Sequence, residues 1–159
     1  MGEGKSGKFE SASHYELYEM VRASNPTQLS DAGLALMTAY TDLDGIADEM
    51  LAHADNVRWK GTGSESFRTW VEEMSKQTRK MADYTLLVGT NMSIAGQGLS
   101  DVKSAMPKPD TMCYADEEKE KARLKNAEPN RQEAIKQIEK LDSYYTTAQT
   151  DISGLDGPN

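Results

Sequence analysis

Apolar positions recur every three to four residues along most of this chain, the period of one face of an α-helix. Leu29, Leu36, Leu43, Met50 and Val57 follow one another at intervals of seven, with Gly33, Tyr40, Ala47 and Ala54 in the intervening positions. That register predicts a helix with a heptad seam starting after Asn25-Pro26, where Asn can cap and Pro can take the first helical position. A second seam reads Phe67, Val71, Met74, Thr78, Met81, Thr85, Val88, Met92, Ala95, Leu99, Val102, Met106, and it stops at Pro107 and Pro109. At about 1.5 Å per residue this second arm would be roughly 60 Å long. The stretch between the arms, Val57-Arg58-Trp59-Lys60-Gly61-Thr62-Gly63, breaks the pattern. Thr62 and Glu65 offer a capping box for the helix that follows.

The flanks read differently. Ser13 and Glu16 form another S-x-x-E box, so a short helix is expected there with Leu17, Met20 and Val21 on one face. Its length matches the excess of the second arm over the first, which places it against the overhanging end of that arm. Residues 107–128 are charged nearly all round and are expected to be a connector or an exposed helix. Periodicity returns at Ala134, Ile138, Leu141, Tyr145, Ala148 and Ile152, so 129–152 is expected to be a packing helix of the same domain. Residues 1–12 and 153–159 have the composition of flexible ends. "SGLDGPN" looks more like the start of a linker than a finished terminus. The expected fold is therefore all-α. A long antiparallel hairpin, 13–106 with its short first helix, is elaborated into a bundle by the C-terminal helix.

Charge and chemistry narrow the function. A net charge of −8 disfavours nucleic acid and anionic membranes as partners. No apolar run is long enough for a transmembrane segment. "MGEGKSGKFE" carries no apolar signal-peptide core. Cys113 is the sole cysteine, and His14 and His53 have no ligand-spaced neighbours, so no catalytic, metal or cofactor site is expected. "TDLDGIADE" at 41–49 has some acids of a calcium loop, but it lacks the glutamate at position twelve and sits inside the first seam. The small residues Thr85, Gly89, Ser93, Gly96 and Ser100 recur beside the second seam. Helical glycines cost about 1 kcal/mol each relative to Ala. Gly89, Ser93 and Gly96 are therefore read as a close-packing stripe, against the Ala134–Ile152 helix or another subunit.

Trp59-Lys60-Gly61 between two heptad arms resembles the motif of the WxG substrates of type VII secretion. Around it, "NPTQLSDAGLALM", "VRWKGTGSESFRTWVEEM", "MADYTLLVGTNM" and "VKSAMP" are similar to the longer, PPE-like and EspB-like, members of that family. The resemblance covers roughly Ser13–Met106. It implies a non-enzymatic protein, or the delivery domain of a larger one, exported without a cleaved signal peptide to the cell surface or medium. It also implies partners: another copy of the chain, a small WxG protein and the type VII secretion ATPase. Trp59 and Gly61 would form the recognition tip. The family's second export element is Y-x-x-x-D/E, matched here at Tyr15/Glu19, Tyr40/Asp44 and Tyr114/Glu118. The last follows the second arm, as it does in small WxG proteins, so Tyr114 and Glu118 join the expected recognition residues. Leu36, Leu43, Met50, Phe67, Met74, Met81, Val88 and Leu99 are the expected helix–helix seam. The competing reading is a cytosolic helical adaptor or scaffold whose Trp-Gly turn is purely structural.

Overall fold

A computed structural model describes residues 7–58 and 60–154. Among them there are four helices and no strand: α1 (His14–Arg22), α2 (Pro26–Asp55), α3 (Thr62–Ala105) and α4 (Glu117–Ser153). The fold class is all-α. The chain divides into two compact units, Met1–Pro26 with Ala95–Thr147, and Thr27–Ile94 with Ala148–Asn159. Of the expected flexible ends, 1–12 and 153–159, residues 1–6 and 155–159 lie outside the described residues.

The first unit is a small bundle of α1, the end of α3 and most of α4. The Ser13 box that starts α1 is complete: Glu16 N–H donates to Ser13 Oγ, and Ser13 N–H donates to Glu16 Oε2. Leu17 and Val21, one turn apart, then face inward and meet Leu99, Val102 and Met106 of α3 and Ala134, Ile135, Ile138 and Leu141 of α4. Leu17 and Val102 are fully shielded from water, each contributing about 1.5–3 kcal/mol of apolar burial. Polar ties close the rim. Arg131 donates to the Ala12 carbonyl at 3.0 Å and to that of Glu10, and Lys103 Nζ donates to the Ser24 carbonyl at 2.8 Å. His14 Nε2 lies 2.7 Å from the Pro107 carbonyl oxygen and donates to it.

Helix α4 starts well before the expected packing segment. Asp116 caps it, its Oδ1 accepting from the N–H groups of Glu118 and Lys119 at 3.0 Å, so much of the charged 107–128 stretch is helical. Pro129 sits inside this helix. Lacking an N–H, it leaves one i→i−4 bond unmade, and the helix continues into the buried Ala134 and Ile135. Tyr145 is 40% exposed, and the apolar face stops being buried beyond Leu141.

In the second unit α2 contacts α3 in reverse order. Ser75 Oγ donates to the Ala47 carbonyl at 3.1 Å, Arg79 pairs with Asp44 at 3.0 Å and with Asp48, and Gly89 lies against Gly33, Leu36 and Met37. At that last point the backbones nearly touch. A Cβ on Gly33 would sit 2.7 Å from the Gly89 carbonyl oxygen and 2.9 Å from Ser93 N. Gly89 and Ser93 are thus a close-packing site, but their neighbour is α2, not the Ala134–Ile152 helix. Gly96 is buried in the first unit.

The seam is also displaced. Met74 and Met81 are 39% and 45% exposed, whereas Ser75 and Ala82 beside them are 2% and 0% exposed. Small residues permit the close approach that Gly33 and Gly89 require, and methionines facing α2 would hold the helices apart. Leu36, Leu43, Met50, Phe67 and Val88 are half-buried, and the residues of α2 that are fully covered are Gly33, Ala47 and Ala54.

Candidate functional site at the turn between α2 and α3

Trp59 lies outside the described residues, and so does any staple it makes over Val57 and Phe67. The residues around it are in place. Helix α2 winds down through bonds from Asn56 N–H to the Ala52 carbonyl and from Val57 N–H to that of Ala54. Helix α3 is entered through Gly61, whose φ of +106° favours glycine. The Gly61 carbonyl takes the first helical bond from Glu65 N–H and also accepts from Ser64 Oγ at 2.7 Å. Gly61 therefore caps the helix. The Thr62 box expected from sequence does not form, because Thr62 is already the first helical residue.

Across the turn, Arg68 Nη2 donates to the Val57 carbonyl at 2.8 Å and pins the two helix ends together. The turn is bordered by an open groove of about 500 Å³ lined by Arg58, Lys60 and Arg68, with Glu65 the acid among them. A Cβ on Gly61 or Gly63 would meet nothing within 4 Å. One turn into α3, the rings of Phe67 and Trp70 stack with centroids 6.4 Å apart. Trp70 is 59% exposed.

Tyr114 and Glu118 belong to the first unit, Gly61 to the second. Tyr114 is exposed and precedes α4, and Glu118 lies in its first turn. The two do not share a helical face, because the chain between them is the bend that leads into the Asp116 cap. The acid that engages Tyr114 is Glu120, which accepts its backbone N–H at 2.8 Å and also pairs with Arg123. The Arg123 guanidinium, and then the Tyr114 N–H, hold the Glu120 carboxyl at about 2. Arg123 also faces Asp110 at 3.6 Å. A groove of about 550 Å³ opens beside this cluster, lined in part by Tyr114, Lys119, Asn126 and Asn130. Of the other tyrosine matches, Tyr15 is exposed and Tyr40 half-buried.

Sequence reading missed Arg68, Trp70 and the Glu120–Arg123 pair. The i,i+3 spacing of Glu120 and Arg123 was a signal for the pair. Trp70, three residues after Phe67, fits the same helical period as the apolar seam. Arg68 carried no local signal, since its bond to Val57 spans the turn.

Among the described residues no group of three His, Cys, Asp or Glu could hold a metal, and no helix is long and apolar enough to cross a membrane. Cys113 is a free, exposed thiol. Comparison with family models, with curated proteins and with solved structures gave no match.

Proposed function

We propose that this is a non-enzymatic type VII secretion substrate, or the delivery domain of one, in which α2 and α3 form a long antiparallel hairpin with Trp59-Lys60-Gly61 at its tip. The observation that carries the reading is the position of Gly61. The glycine of the W-x-G triplet stands at the break between two long helices, with a φ of +106°. The reversed order of the α2–α3 contacts supports the hairpin. Trp59 is the anchor offered to a partner, and Gly61 leaves its backbone open to close approach. The partners are a second copy of the chain or a small WxG protein, and the secretion ATPase. Tyr114 and Glu118 contribute to export as a surface near the Asp116 cap and not as a helical face.

The test compares culture supernatant and lysate for wild type, Trp59→Ala and a strain lacking the type VII ATPase, with circular dichroism confirming that the variant folds. The expected result is ATPase-dependent appearance in the supernatant, lost in Trp59→Ala. Retention inside the cell in every strain would replace this reading with the adaptor or scaffold, in which the Trp-Gly turn is structural.

A further inference from the structure

Helix α3 carries an apolar face that the second unit leaves open. Its inward line, Val71, Ser75, Ala82 and Gly89, is buried, and Ser75 and Gly89 contact α2 directly. Trp70, Met74 and Met81 lie on a different face, 59%, 39% and 45% exposed. With Gln77 and Tyr84 they follow the i, i+3, i+4, i+7 spacing of a helix-docking stripe. A tryptophan and two methionines in such a row, half open to water, form a surface that lowers its free energy by meeting another apolar face.

The charges beside the stripe say what that face is. Glu73 and Lys80 flank it on the edge away from α2, seven residues apart, and both are exposed. The nearby Gln77 Nε2 donates to Glu73 Oε1 at 3.0 Å. We propose that this stripe docks on the same stripe of a second copy, antiparallel, with the two-fold axis at Gln77. In that register Trp70 meets Tyr84 of the second copy, Met74 meets Met81, and Glu73 meets Lys80. Each contact occurs twice, as an isologous interface requires. A parallel pairing, whose two-fold axis runs along the helices, would put this edge of the two copies on opposite sides of the interface and form neither Glu73–Lys80 pair. This deepens the self-association in the reading above, but it is independent of export and of the tip.

The test is the solution mass of the purified full chain by sedimentation equilibrium over roughly 1–100 µM, where a standard interface would populate a dimer. Wild type is expected to reach twice the chain mass. Trp70→Ala, at a position 59% exposed and with circular dichroism confirming that the variant folds, should weaken the dimer by about a hundredfold or more. Glu73→Lys alone and Lys80→Glu alone should each weaken it by about tenfold, since each turns two attractions into two repulsions. The double variant should restore it. A monomer throughout the range would overturn the proposal. A dimer insensitive to Trp70→Ala and to both charge changes would overturn it too, by placing self-association on another surface. Either outcome leaves the export result untouched, and failed export leaves the mass result untouched.

Discussion

Gly33 and Gly89 meet where the backbones of α2 and α3 come within van der Waals distance, and their substitution separates two roles for helical glycine. A methyl on Gly33 would lie 2.7 Å from a carbonyl oxygen and 2.9 Å from a backbone nitrogen. Neither can rotate aside, so the helices must part. Gly33→Ala is expected to cost about 1–3 kcal/mol in chemical denaturation despite the better helix propensity of alanine. Gly45, in the same helix, has nothing within 4 Å of its would-be Cβ. Gly45→Ala should therefore stabilise by about 0.5–1 kcal/mol. Equal shifts of the same sign in both variants would show that the contact at Gly33 has no energetic weight. The sequence held half of this. Glycines recurring at helical spacing announced close packing, but the neighbour across the contact is a tertiary fact that no spacing in one helix encodes.

At the scale of the element, the start of α4 depends on charge more than on apolar burial. Glu120 joins the Tyr114 backbone to Arg123, and Arg123 reaches Asp110, so one carboxylate organises the bend that precedes the helix. The folded Glu120 carboxyl titrates at about 2, below its ordinary 4.5. A depressed value means that the contribution to stability is present above the unfolded value and is lost as pH falls from about 4.5 through about 2. Amide exchange or chemical shifts of Tyr114 and the first turn of α4 should report loosening in that window. Glu120→Gln should show the loosened state already at neutral pH and lack the transition, and an unchanged transition in that variant would assign it to another group. The packing end of α4 was legible because Ala134, Ile138 and Leu141 repeat at helical spacing above a buried core. Its charged first half was not, since a solvated helix and a solvated connector share one composition. Helix α1 was legible for the opposite reason. Its box is local, and Leu17 and Val21 needed only one face to bury. Leu17→Ala is expected to cost about 2–5 kcal/mol. Met20→Ala, on the same helix but 53% exposed, should stay within about 0.5 kcal/mol. Thermal or denaturant unfolding of the two variants side by side decides it.

For the whole molecule, the period of the apolar pattern carried the all-α class, because a 3.6-residue repeat has one structural solution. The displaced seam shows where that logic stops. Met74 and Met81 satisfy the period as well as Ser75 and Ala82 do, and size, not hydrophobicity, decided which set turned inward. The proposed function rests on less: on the triplet at the turn and on what would approach it. The charge of the chain yields a clearer expectation. Helix α2 holds Asp31, Asp42, Asp44, Asp48, Glu49 and Asp55 without a lysine or arginine, and the chain as a whole carries −8. Arg79 offsets two of those acids. Most of the remaining ion pairs are close in sequence or solvent-facing, and such pairs are worth little, while the part-buried Arg123 cluster acts locally at the start of α4. Self-repulsion should therefore outweigh specific attraction. Raising NaCl from about 10 to 150 mM, which shortens the screening length from about 30 to 8 Å, is expected to raise the melting temperature of the monomer at low protein concentration. A fall in melting temperature over the same range would mean that the Arg79, Arg123 and Arg131 pairs outweigh the net charge. The folded chain would then be held by those three arginines despite the excess of acids around them.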